Sequence, residues 1–377
     1  MNVIFTCGGT AGHINPAIAV ANILKERHPD VNILFIGAKG HMEEKLVPKA
    51  GYELKCLPGS GLSRSISFAG LKKNVKALKN VLSAVGQCKK FIREFQADVV
   101  VGTGGYASFP ALHAASKLGI PTIVHEANAV PGLTTKMAAK TATRVLVAFE
   151  ESAQYYKKPE KVEVVGMPVC KEFVLTEREA ARKELGLDSR PLVVSAFGSL
   201  GARAMNYAMA DFMKLEQADG MPFQHIHATG SYGWAWMPDH LKEQGIDHEN
   251  CSGLDMREYI YNMPTVMAAA DVIISRAGAS TLNEIGASGT PCILIPSPNV
   301  TNDHQTKNAK VLADRGGAVL IPEGENMGKQ LYDTVTELLA DHERRSHMSA
   351  QLRQLVVLDS AQRICDMIEE LAAGENG

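Results

Sequence analysis

Short β-branched runs alternate with longer amphipathic stretches along the chain. In the first half, Asn2–Cys7, Val31–Gly37, Glu53–Leu57, Asp98–Gly102, Pro121–His125, Thr143–Ala148 and Val162–Val165 predict strands. Asn15–Arg27, Leu71–Phe95 and Ser108–Leu118 predict helices between them. The rhythm then restarts with a helix at Arg178–Leu185, a strand at Pro191–Ala196 and a helix from Ala202. Further strands are predicted at Phe223–Ala228, Asp271–Ser275, Pro291–Pro296 and Ala318–Ile321, and only helix after Met327. This is the β-α-β order of parallel sheets with helices on their faces. The fold class expected is α/β, with two doubly wound Rossmann-like domains facing across a cleft. Pro159 and Pro168 bracket a hinge. The expected division is 1–163, 164–350, and a terminal helix at 351–377 returning to the first domain.

A chain of 377 residues, 45% hydrophobic and 21% charged, is long enough for two domains with real cores. Net charge is −2, so the molecule as a whole is not built to coat nucleic acid. The seven cysteines are scattered without a C-x-x-C pair, which argues against a disulfide framework or a cysteine zinc site and suits a reducing cytosol. Met1-Asn2 runs straight into a strand, with no signal-peptide pattern. No apolar run approaches the ~18–20 residues that span a bilayer.

Candidate chemistry gathers at loops that follow predicted strands, where ligands of such sheets bind. Gly8-Gly9-Thr10-Ala11-Gly12-His13 is neither a dinucleotide fingerprint nor a P-loop. Its glycines allow close backbone approach, and His13 suits removal of a hydroxyl proton, or merely caps a helix. Gly102-Thr103-Gly104-Gly105-Tyr106 reads as the floor for a bulky anionic acceptor, or as a plain tight turn. In His125-Glu126-Ala127-Asn128, Glu126 is a candidate to orient His13 or to bind hydroxyls; the alternative is a solvated loop. Phe197-Gly198-Ser199-Leu200-Gly201-Ala202 has the form of a diphosphate cradle, with amides, the Ser199 hydroxyl and a helix N-terminus facing the anion. Gly278-Ala279 offers a second such terminus, and Glu284 a carboxylate for a ribose diol. Asn302–Ala309 carries polar side chains fit to read a sugar.

Together these motifs resemble the bacterial peptidoglycan glycosyltransferases that form lipid II. That family moves N-acetylglucosamine from UDP-N-acetylglucosamine to undecaprenyl-diphospho-muramoyl-pentapeptide (lipid I). The resemblance spans essentially the whole chain. It implies the GT-B fold, an inverting β-1,4 transfer, and no cofactor or metal. It implies His13 as general base, with Glu126 assigned beside it as catalytic. Donor contacts are implied at Thr10, Gly12, Ser199, Gly201, Ala202, Gly278, Ala279, Glu284 and Gln305, and acceptor contacts at Gly105, Tyr106 and Asn128. Two places depart from the family: in one, Met167 and Cys170 stand where Asn and a phosphate-binding Arg are usual, and in the other Leu200 stands where many members carry Gln. Lys171 or Arg203 is the expected substitute, though an ammonium lacks the guanidinium fork. Other reactions on the fold, such as a nucleotide-sugar 2-epimerase or another lipid glycosyltransferase, and a non-catalytic UDP-sugar binder are the rivals.

Leu54 to Arg93 contains nine basic residues and no acidic one. Lys72, Lys73, Lys76 and Lys79 flank an apolar helical stripe, and Ile66 and Phe68 precede it. Such a surface suits anionic lipid headgroups, or the stripe packs on the sheet and the lysines only solvate it. With a lipid-linked acceptor, the expected location is peripheral, on the cytoplasmic face of the cell membrane.

Overall fold

The structure is a computed structural model that describes residues 1–58 and 68–374, with 68–79 and 301 described by backbone alone. The chain divides into two compact units, 1–169 with 357–377, and 170–356. The first holds β1 (Asn2–Thr6), β2 (Asn32–Ala38), β3 (Glu53–Leu57), β4 (Val99–Gly102), β5 (Thr122–Glu126), β6 (Arg144–Val147) and β7 (Val162–Val164), in the order β3-β2-β1-β4-β5-β6-β7. All its pairings are parallel. The boundary expected at 163/164 runs through β7, which is the edge strand of this sheet. The division lies after Val169 instead.

Successive residues of β1 point to opposite faces, as the pleat requires. Val3 and Phe5 bury against the helix Ala11–Arg27 and the last helix, Ser360–Ala372. Ile4 buries on the other face with Leu34, Ile36 and Ala111. The last helix is held to Ala11–Arg27 by Ile364 and Ile368, and by Arg27 pairing with Asp366 and Glu369.

The second unit holds β8 (Leu192–Ala196), β9 (Gln224–Ala228), β10 (Leu254–Arg257), β11 (Val272–Ser275), β12 (Cys292–Leu294) and β13 (Ala318–Leu320), in the order β10-β9-β8-β11-β12-β13. It too is wholly parallel. β10 has no counterpart in the sequence reading. It is an edge strand with only Leu254 and Met256 apolar and an Asp255–Arg257 pair between and after them, too little for an apolar run. The core of this unit is rich in methionine, with Met205, Met209, Met213 and Met327 among Phe212, Phe223 and Leu331.

Each sheet reverses its strand order once, at β1/β4 and at β8/β11. A doubly wound sheet opens a crevice at that reversal, because the loops on either side depart to opposite faces. The turns Gly8–Thr10 and Thr103–Tyr106 flank the first switch point, and Gly198–Ala202 and Arg276–Ala279 flank the second.

Candidate functional site

At the first switch point the helix begins at Ala11, not at Asn15 as expected. The true start places His13 inside the first turn, where its N–H and that of Ile14 donate to the Thr10 carbonyl. The ring nitrogen Nδ1 lies 3.1 Å from the Thr103 carbonyl oxygen. A carbonyl only accepts, so Nδ1 carries the proton and Nε2 holds the basic lone pair. Thr103 Oγ1 in turn donates to the His13 carbonyl at 2.6 Å.

The second glycine turn is shaped by the first. A Cβ on Gly104 (φ +113°) would sit 2.5 Å from His13 Nδ1, and one on Gly105 (φ +86°) 2.2 Å from the Gly8 carbonyl oxygen. Gly105, expected as an acceptor contact, is therefore demanded by this backbone packing. Tyr106 presents a buried hydroxyl that has no hydrogen-bond partner among the described residues. A buried hydroxyl without a partner costs free energy until a ligand supplies one.

Glu126 is placed differently from expectation. Its Oε1 accepts from the Asn128 N–H at 3.0 Å and the Asn128 side-chain amide at 2.9 Å, and its Oε2 from the Gly132 N–H at 3.0 Å. A carboxylate spent on three donors of its own loop is a loop anchor, and the orientation of His13 comes from Thr103. Asn128 joins the same anchor. The neighbouring His125 is buried, with Nε2 donating to the Gly166 carbonyl, and burial lowers its pKa.

Sequence reasoning missed Glu43. It is fully buried, accepts from the Gly9 N–H at 3.1 Å and the Ala38 N–H at 2.8 Å, and fills the space a Cβ on Gly8 or Gly37 would need. It ties the turn after β1 to the turn after β2. Two glycines at strand ends, Gly8 and Gly37, were the available signal.

At the second switch point, Gly198 (φ +88°) and Gly201 (φ +77°) turn the chain into Arg203–Ala218. A Cβ on Gly201 would meet the Thr229 carbonyl oxygen at 2.0 Å, so the turns after β8 and β9 pack back to back. Ser199 and Leu200 carbonyls accept from the Ser231 and Tyr232 N–H groups, both at 3.3 Å. Ala202 caps this helix without a side-chain hydrogen bond, and no acidic residue occupies its first turn. The helix Ala279–Ser288 behind Gly278 has the same two properties. Both termini keep their N–H groups and dipoles for an anion.

Glu284 lies in the second of these helices, half-buried, with no hydrogen-bond partner among the described residues. Burial pushes its carboxyl up to about 7. Its charge, together with burial and Glu172, raises the thiol of exposed Cys170, the position where Arg was expected. Arg203, one expected substitute, instead lies over the Tyr207 ring at 5.7 Å. Arg276 is internal, donating to the Ile295 and Pro296 carbonyls and pairing with Glu323. Gln305 Oε1 accepts from the Ser297 N–H at 2.8 Å, which holds the Ser297 loop and leaves its NH₂ as the outward donor.

Ile66 lies outside the described residues, as do the side chains of Phe68, Lys72, Lys73, Lys76 and Lys79. Farther along the helix Phe68–Phe95, Leu82 is exposed and Lys90 stands in solvent beside Glu94. Among the described residues no helix is long and apolar enough to cross a membrane, and no group of three His, Cys, Asp or Glu is disposed to hold a metal ion.

Comparison with known proteins agrees with this division. Residues 3–147 match the glycosyltransferase family 28 N-terminal domain, and residues 192–364 its C-terminal domain. A protein of Acetivibrio thermocellus named UDP-N-acetylglucosamine–N-acetylmuramyl-(pentapeptide) pyrophosphoryl-undecaprenol N-acetylglucosamine transferase is 38% identical over 372 residues, 98% of each chain. A Leuconostoc citreum protein of the same name is 39% identical over 376 residues, the whole of both chains. Among solved structures, Acinetobacter baumannii MurG superposes with TM-score 0.75 at 26% identity, covering 98% of this chain and 99% of that one. The Neisseria meningitidis UDP-GlcNAc 2-epimerase superposes with TM-score 0.66 at 13% identity, covering 100% of both chains, and shares the fold alone.

Proposed function

The chain belongs to glycosyltransferase family 28, and from that membership we infer a reaction and assign its residues. It transfers N-acetylglucosamine from UDP-N-acetylglucosamine to undecaprenyl-diphospho-muramoyl-pentapeptide, forming lipid II for peptidoglycan. Two observations support the residue assignment: the second unit has two uncapped helix N-termini at its switch point, and the first unit has an imidazole oriented by Thr103 at its own.

In the proposed mechanism His13 Nε2 takes the proton of the acceptor sugar hydroxyl, and the oxygen attacks the anomeric carbon of the donor. The bond to the diphosphate breaks with inversion, and UDP leaves with added negative charge. Amides of Gly198–Ala202 and Gly278–Ala279 face that charge, a fixed arrangement that costs no reorganisation as it develops. Glu284 accepts from the ribose diol, the Gln305 amide reads the donor sugar, and Thr10 and Gly12 line the diphosphate. Tyr106 donates its unpartnered hydroxyl to the acceptor. The test is transfer of radiolabelled N-acetylglucosamine from the UDP donor to a lipid I analogue. His13→Ala is expected to lower turnover by about 10²–10⁴ while UDP binding persists, the contribution of one positioned base. Turnover near wild type would reassign His13 as structural.

We further propose peripheral attachment to an anionic membrane surface through the basic helix Phe68–Phe95. Support comes from its lysines, with no acidic residue before Glu94, and from exposed Leu82. Sedimentation with anionic but not neutral vesicles is expected; equal recovery in both supernatants would end the proposal.

A further inference from the structure

A chain of polar side chains runs through the core of the second unit, and the transfer reaction as assigned does not use it. Glu216, His225, Ser195 and His227 are all fully buried. Glu216 Oε2 lies 2.9 Å from His225 Nδ1. Ser195 Oγ lies 2.7 Å from His225 Nε2 and 2.7 Å from His227 Nδ1. The order acid, imidazole, serine matches a nucleophilic triad, but no substrate reaches a group without exposure, so a hydrolytic role is excluded.

Proton placement follows from the contacts. His225 donates Nδ1–H to Glu216, which leaves Nε2 to accept the Ser195 O–H. The serine oxygen then accepts Nδ1–H from His227. This leaves a lone pair, not an N–H, at His227 Nε2, the atom without a partner. Burial, and next the neighbouring His225, hold the His227 pKa well below its ordinary value, in keeping with a neutral ring. Glu216 Oε1 is likewise without a partner. Four buried polar groups with two loose ends are expensive compared with an apolar core of equal volume.

Their position gives the reason. Ser195 is the penultimate residue of β8 and pairs in register with His227, the penultimate residue of β9. Three residues beyond Ser195 the chain reaches Gly198, and three beyond His227 it reaches Gly230, which packs on Gly201. The His227 ring also contacts the Phe197 ring, immediately before Gly198. Glu216 lies near the far end of the helix whose N-terminus forms the cradle. The chain of hydrogen bonds therefore fixes both strands and the helix that together shape the diphosphate cradle.

We propose that Glu216, His225, Ser195 and His227 are positioning residues that brace the Gly198–Ala202 cradle for the donor diphosphate. The proposal rests on the donor reading given above. Directional hydrogen bonds set strand register and helix depth more narrowly than apolar contacts, and small displacements of oriented amides weaken an anion site sharply.

The test measures UDP affinity by calorimetry and donor KM and kcat by transfer, on wild type, Ser195→Ala and Ser195→Thr. Loss of one buried hydrogen-bonding partner is expected to raise donor KM and UDP Kd about tenfold in Ser195→Ala, with a fall in kcat beside it because the same amides face the charge developing on UDP. Ser195→Thr, which keeps the hydroxyl, is expected to restore most of the affinity. Wild-type UDP affinity in a folded Ser195→Ala, or loss of kcat with KM unchanged, overturns the brace. Should Ser195→Ala not fold, Glu216→Gln, which keeps the shape and removes the charge, is read in the same way, and an unchanged donor KM there overturns it. A wild-type protein that fails to bind UDP at all sinks the donor reading instead, so the two failures are distinct.

Discussion

Replacing Glu284 by Gln separates the cost of a binding carboxylate from its use. The carboxyl rises from an ordinary 4.5 to about 7 because the fold removes it from water without giving it a partner. A value raised on folding means that the native state holds the proton more tightly than the unfolded chain. Below about pH 4.5 both states are protonated and the native state bears no penalty. Between about pH 4.5 and 7 the unfolded chain gives up a proton that the native state keeps, so stability falls across that window and levels off above it. The difference of about 2.5 units corresponds to roughly 3 kcal/mol once both states are ionised. For a unit of this size each kcal/mol moves the melting temperature by about 2–4 °C, so Glu284→Gln is expected to melt about 5–10 °C above wild type at pH 8.5 and level with it near pH 4.5. Binding runs the other way. If the ionised carboxylate accepts both ribose hydroxyls, the wild-type donor KM should fall about tenfold between pH 6 and pH 8, following the ionised fraction of a group titrating near 7. The glutamine variant should show a higher KM that barely changes with pH. Thermal melts across pH, paired with donor titrations of the transfer rate, measure both halves. Equal melting of the two proteins at every pH, or a wild-type donor KM that is flat from pH 6 to 8, would refute the reasoning.

Glu43→Ala removes a fully buried carboxylate and strands the Gly9 and Ala38 N–H groups. A loss of about 1–3 kcal/mol per orphaned group is expected in denaturant melts, together with a fall in turnover larger than any change in UDP affinity. Cys170→Arg restores a guanidinium at a position that feels the charge of Glu284. It is expected to lower the donor KM by about tenfold, and unchanged titration curves would remove position 170 from the donor site.

Central strands such as β1, β4 and β11 were legible because a parallel sheet buries them on both faces, so each reads as a concentrated apolar run. β10 escaped because an edge strand needs less burial, and Leu254 and Met256 alternate with charge. The glycine turns were legible too, since positive φ at Gly104, Gly105, Gly198 and Gly201 favours glycine, and backbone packs closely against Gly105 and Gly201. The onset of the first helix was placed at Asn15, four residues past its true start at Ala11. The buried polar chain of the second unit was invisible for a different reason. His225 and His227 share one face of β9, but only the β8–β9 register brings Ser195 opposite His227, and register is a tertiary fact.

Carboxylates mark the limit most clearly. Glu126 and Glu284 looked alike in sequence: each acidic, each in a segment that follows a predicted strand, each in a motif of the same family. Their surroundings part them. Glu126 satisfies three donors of its own loop, while Glu284 is held from water with no partner among the described residues. Glu43 and Glu216 complete the contrast, one answered by backbone amides and the other by an imidazole. A desolvated charge that the fold has already answered does structural work, because its ionised form is stabilised whether or not substrate is present. A desolvated charge left unanswered destabilises the fold until a ligand arrives, and it persists in a folded protein only where binding uses it. That criterion supports the proposed donor role of Glu284, and the stability of Glu284→Gln at high pH is the measurement on which the proposal stands or falls.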